Sequence, residues 1–155
     1  MIFVIFKIKS YSRKNITLNN HIFVKYNMSE LIKYTLEFTI NSSVNILFKR
    51  LSTESGLAEW FADDVIIKDK IFTFFWDDSK QEAKLLKLKT NQFIRLKWED
   101  NNTKEDYFEF LIQIDEITSD VALIITDFAD DEQDQEEQTE LWKMQIGTLK
   151  RAIGS

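Results

Sequence analysis

Side chains that commonly carry out chemistry are scarce in this chain. Its 155 residues include one histidine, His21, and no cysteine. His21 lies far upstream of the regular part of the sequence. A Ser-His-Asp triad, a histidine acid–base site and a zinc site of the usual His and Cys type are therefore excluded from the body of the protein. Carboxylates are plentiful, and a pair of them could run acid–base chemistry. They fall mainly in turns and at the start of the last helix, where solvation is the ordinary state. No catalytic residue can be named, no cofactor is implied, and the chain reads as a non-enzyme. The acids from Asp127 to Glu140 offer the oxygen ligands that calcium or magnesium prefer. They lack the glycine placement of a calcium-binding loop, and a solvated helix start explains them better. No metal site is expected.

Charge narrows the partners. The net charge is −6, yet residues 1–29 contain no Asp or Glu and carry Lys7, Lys9, Arg13, Lys14 and Lys25. The remainder holds 15 basic and 26 acidic residues, a balance of −11. Such a surface repels a phosphate backbone, so nucleic acid is not an expected partner. No apolar run approaches the roughly 18 residues of a membrane span. The absence of Cys suits the cytoplasm. The lack of Pro and the abundance of Ile, Lys, Asn and Phe match coding bias in an AT-rich genome.

The elements that must position any site are legible from periodicity. Residues 1–28 read as a leader, either an extension upstream of a true start at Met28, a disordered tail or an extra edge strand, and 29–155 as one domain. Ile32, Tyr34, Leu36, Phe38 and Ile40 alternate with polar residues, which predicts a half-buried strand. Val44, Leu47, Phe48 and Leu51 predict a short helix over 43–51, with a second running to about Ala62. Short strands follow: Val65–Ile67, Ile71–Trp76, Glu82–Lys89, Phe93–Trp98, Phe108–Ile114 and Val121–Phe128. Their turns are expected at Asp77-Asp78-Ser79-Lys80, Thr90-Asn91, Asn101-Asn102 and Thr118-Ser119-Asp120. The chain ends in a helix from about Asp130 to Ile153, acid-headed and base-tailed as its macrodipole favours. Trp142, Ile146, Leu149 and Ile153 form its apolar stripe, widened by Leu141 and Met144, and Gly154 supplies the stop. At about 1.5 Å per residue it is a rod of roughly 35 Å. The fold class is α+β: a curved antiparallel sheet of about six or seven strands, in the order β-α-α-β-β-β-β-β-β-α, gripping the C-terminal helix.

The segment from Leu51 through Thr53, Gly56, Leu57 and Trp60 to Val65 resembles the "leucine–threonine, then leucine-x-x-tryptophan" signature of the START-like (helix-grip, Bet v 1-like) superfamily. Within it the chain is most similar to the branch related to the heat-shock protein 90 ATPase activator. The likeness covers residues 29–155, and the Trp142-to-Leu149 spacing fits the family's last helix. It implies a cavity between sheet and helix, usually for a lipid, sterol, polyketide or other apolar ligand. Members also include chaperone cofactors and a minority of cyclases and hydrolases. On this resemblance a small apolar or amphipathic ligand would meet Trp60, Phe61, Phe72, Phe74, Trp76, Leu96, Trp98, Phe108, Phe110, Trp142, Ile146 and Leu149. Alternation alone reads the same residues as ordinary core. Arg95, on the face opposite Ile94 and Leu96, is read as surface rather than as a ligand's polar handle. The alternative partner is a protein met through the acids Asp131, Glu132 and Asp134. The chain is expected to be a monomer or weak dimer.

Overall fold

A computed structural model describes residues 30–99 and 106–155. The leader, with His21 and Met28, and the Asn101-Asn102 turn lie outside the described residues. Strand β1 (Ile32–Ile40) is followed by helices α1 (Val44–Ser52) and α2 (Glu54–Ala58). Strands β2 (Asp64–Lys68), β3 (Ile71–Trp76), β4 (Ser79–Lys89), β5 (Phe93–Trp98), β6 (Phe108–Ile114) and β7 (Val121–Ala129) come next, and α3 (Glu132–Ile153) ends the chain. The strands form one antiparallel sheet in the order β1-β7-β6-β5-β4-β3-β2. The first strand thus pairs with the last, from Ile32 opposite Ala129 to Ile40 opposite Val121. β1 and β2 become opposite edges, and α1–α2 must carry the chain from one to the other. In doing so α1 lies against β5, β6 and α3. That crossing delivers Trp60 and Phe61 into the grip.

Local chemistry fixes the crossing. Ser43 caps α1, its Oγ accepting from Ile46 N at 3.3 Å. Thr53 serves both helices: its hydroxyl donates to Lys49 O at 2.7 Å and accepts from Gly56 N at 3.0 Å. A β-carbon on Gly56 would fall 2.2 Å from Lys49 O, so only glycine lets α2 approach α1 this closely. α2 then ends at Ala58, shorter than the sequence suggests, and Glu59–Phe61 form turns.

The strand periodicities hold with adjusted ends. Along β3, Phe72, Phe74 and Trp76 point inward while Ile71, Thr73 and Phe75 are half-buried. β4 begins at Ser79, three residues before the expected Glu82, because Ser79 and Lys80 already pair with Trp76 and Phe75. The β3–β4 turn is therefore only Asp77-Asp78. With three glycines and no proline in the chain, left-handed turn positions fall to Asp69 (φ 49°), Lys70 (67°), Asp77 (38°), Asn91 (58°) and Ser119 (62°). Asp and Asn tolerate this conformation better than most residues. A bulge at Leu86, between the pairs Leu85–Leu96 and Lys87–Arg95, adds to the sheet's twist and curvature.

α3 begins at Glu132 rather than Asp130. Asp131 is its N-cap, accepting from Asp134 N at 2.8 Å, and Gly154 closes it in the left-handed conformation at φ 71°. Met144, expected to widen the apolar stripe, is 53 % exposed. Its spacing from Trp142 and Ile146, two residues each way, turns it off the buried face.

Candidate functional site

The structure gathers the expected side chains in one interior. β3 supplies Phe72, Phe74 and Trp76, β5 supplies Leu96 and Trp98, and β6 supplies Phe108 and Phe110. α3 supplies Trp142, Ile146 and Leu149, and the turn after α2 supplies Trp60 and Phe61. All are between 0 and 6 % exposed and belong to one apolar cluster.

Phe61 is at the centre. Its ring lies 4.9 Å from that of Phe74, 5.3 Å from Trp60 and 6.1 Å from both Trp76 and Trp142. Trp98, Phe108 and Phe110 stand 6.2–6.5 Å away. Trp98 and Phe108 stack at 4.8 Å, and Phe110 meets Trp142 edge-on at 5.7 Å. These are contact distances for aromatic pairs. Trp142 of α3 thus meets the sheet's rings both through Phe61 and directly at Phe110. A guest in this region would have to shift the Trp60–Phe61 turn.

Hydrogen bonds fix the indole N–H of Trp60, Trp76 and Trp142. Trp60 donates to Arg50 O at 2.9 Å, Trp76 to Phe61 O at 3.0 Å and Trp142 to Asp127 Oδ2 at 3.1 Å. The Trp76 bond ties Phe61's own backbone to β3.

Tyr34, from the alternating pattern of β1, and polar groups that the apolar pattern did not single out complete the interior. Tyr34 donates to Gln138 Oε1 at 2.7 Å, and Gln138 Nε2 donates to Asp134 Oδ2 at 2.6 Å. Asp127, 5 % exposed, also accepts from Phe128 N at 2.8 Å. Burial pushes the Tyr34 phenol well above its ordinary 10.0, and the Asp127 and Asp134 charges push it further. Tyr34 is therefore a neutral hydrogen-bond donor at any physiological pH.

Gln145 differs from all of these. It is fully buried at 0 % exposed, yet neither Oε1 nor Nε2 has a hydrogen-bond partner among the described residues. Leu141, Trp142 and Leu149 stand three or four residues away on the same buried helix face. The signal was present in the sequence as a glutamine within the apolar stripe, at four residues from both Leu141 and Leu149.

The remaining sequence candidates fall outside the interior. Arg95 is on the outer face as expected, bonded to Glu109 Oε2 at 2.7 Å and 4.1 Å above the Tyr107 ring. In the acidic stretch, Asp131 caps α3 and Asp134 accepts from Asp130 N and Gln138. Glu132, Glu136, Glu137 and Glu140 are exposed. Among the described residues no group of three or more potential ligands is placed to hold a metal ion. No helix among them is long and apolar enough to cross a membrane.

Replacing Tyr34 by Phe is expected to cost about 1 kcal/mol at pH 8, the worth of one buried hydrogen bond. The phenol's raised pKa means its contribution is complete below pH 10 and is lost as pH climbs towards the folded value. The gap between the two proteins should therefore narrow or invert by pH 11 in urea unfolding. A gap that stays constant would contradict the burial of the phenol.

A seven-stranded antiparallel sheet curved around a C-terminal helix, with two short helices after the first strand, defines a helix-grip protein. Residues 28–155 match the START-like superfamily domain, and the chain belongs to that superfamily. Among solved structures, it is similar to BfR322 from Bacteroides fragilis, with 37 % identity and a TM-score of 0.59, over 78 % of this chain and 90 % of that one. The Aha1 dimer from Colwellia psychrerythraea is similar with 17 % identity and a TM-score of 0.65, over 79 % and 96 % of the two chains. CalU16 from Micromonospora echinospora is similar with 12 % identity and a TM-score of 0.63, over 79 % and 76 %. At such identities the last two likenesses show the fold alone. No protein of curated function matches.

Proposed function

We propose that this domain binds a small amphipathic molecule between its sheet and α3. The observation that carries this reading is Gln145. A buried amide with two unpaired atoms costs stability, and such groups are uncommon unless something else pairs with them. Its surroundings in the sequence of α3 are apolar, so a molecule reaching it would bury hydrocarbon on the way. Each Å² of apolar surface so buried contributes about 25 cal/mol before the costs of association. The Trp60–Phe61 turn is the element that would move to admit it. It follows a five-residue helix and is tied by Trp76 Nε1 donating to Phe61 O and by Trp60 Nε1 donating to Arg50 O. Membership of the START-like superfamily agrees with this reading but does not identify a ligand.

Gently purified protein should carry a co-purified small molecule in native mass spectrometry. Once stripped, it should give a saturable change in tryptophan fluorescence with fatty acids or lipids, since Trp60, Trp76, Trp98 and Trp142 all border the same interior. A bare mass together with no saturable response would overturn the proposal.

A further inference from the structure

We infer that the molecule bound here presents a neutral group with a hydrogen-bond donor beside an acceptor, and that this group pairs with the Gln145 amide. The inference rests on the binding reading above. Gln145 leaves one acceptor, Oε1, and the Nε2 donors unmatched in the same fully buried place. A carboxylate or phosphate would satisfy Nε2 but offers no proton to Oε1. An ammonium would satisfy Oε1 but offers no lone pair to Nε2. A primary amide, a lactam or a protonated carboxyl serves both atoms through two parallel hydrogen bonds.

Charge in the interior points the same way. The buried polar and charged side chains among the described residues are Asp106, Thr126, Asp127, Gln138 and Gln145. None is Lys, Arg or His, so an anionic headgroup would lose its hydration without gaining a buried counter-charge. Asp127 sits against Trp142, three residues before Gln145 on α3, and would repel an anion further. Gln138 is already engaged by Tyr34 and Asp134, which leaves Gln145 as the open one of the helix's two buried amides.

Probes that share a ten-carbon chain and differ in the head group test this on the unsubstituted protein: decanamide, decanol, methyl decanoate and decanoate at pH 8, each titrated against tryptophan fluorescence. Decanamide should bind about tenfold or more tighter than methyl decanoate and decanoate, the worth of a buried hydrogen-bonded pair. In Gln145→Met that preference should fall to less than threefold. Equal affinity across the four heads in the unsubstituted protein would overturn the inference and leave the binding reading intact. A preference that survives Gln145→Met would overturn it too. Failure of every probe to bind would remove the binding reading and the inference with it. The comparison of heads needs no variant, so it holds even if Gln145→Met folds poorly.

Discussion

Replacing Phe61 by Ala should lower the stability of the domain by about 3–5 kcal/mol. The reason is position. Phe61 is 1 % exposed, and its ring meets partners from β3, β5, β6, α3 and the preceding Trp60. Removing it takes away both the transfer free energy of a phenyl group and the contacts of every ring around it. Collapse into the gap is opposed because the neighbours are held at several points. Trp76 and Trp142 are fixed by their indole bonds, and the strands by their ladders. Single domains are stable by only about 5–15 kcal/mol, so the loss would be a large fraction of the total. In urea the midpoint should fall with little change in slope. Benzene or indole should recover part of the loss by occupying the void, as apolar voids take up small aromatics. A cost below about 1 kcal/mol would mean that the grip is not closed by this ring.

Gln145→Met should act in the opposite direction, raising the stability of the ligand-free protein by about 2–3 kcal/mol. Methionine has nearly the length and shape of glutamine and a similar helix propensity, so the change removes the polar atoms and little else. Two buried groups that now lack partners disappear, and the desolvation cost of each goes with them. For a domain of this size that is a rise in Tm of several degrees. The same variant should lose the amide preference in binding, a trade of function against stability often met where a site requires an unsatisfied group. Thermal unfolding of the stripped protein with and without decanamide reads both effects. A destabilised Gln145→Met would mean that the amide has a partner in the resting protein.

Much of this interior was legible in the sequence because alternation is a strict geometric rule. Phe72, Phe74 and Trp76 had to share one face of a strand, as did Leu96 with Trp98 and Phe108 with Phe110. The Trp142–Ile146–Leu149 stripe had to share one face of a helix. Leu57 and Trp60 marked the crossing helix through the family signature. Where the first strand went was not legible. A meander of strands says nothing about the edge that β1 joins, and its pairing with β7 is a long-range choice made by the whole sheet. Met144 is apolar but stands about 200° around the helix from both Trp142 and Ile146, so its hydrophobicity does not place it on the buried face. Gln145 and Gln138 were missed for the converse reason: a search for apolar spacing passes over polar residues that stand within it. Both lie in the stripe, and only their partners distinguish them. Gln138 is satisfied by Tyr34 and Asp134, while Gln145 is satisfied by nothing among the described residues.

The decisive measurement is the side-chain amide resonance of Gln145 in a ¹⁵N–¹H spectrum during titration with decanamide. Binding between sheet and helix predicts a downfield shift of its Nε2 protons as they gain an acceptor, with intermolecular nuclear Overhauser effects from the probe to Phe61 and Trp142. A Gln145 amide that stays in place while any shifts collect on the exposed acids at the start of α3, Asp131 and Glu132, would contradict it. The site would then be a surface for a partner rather than an interior for a ligand.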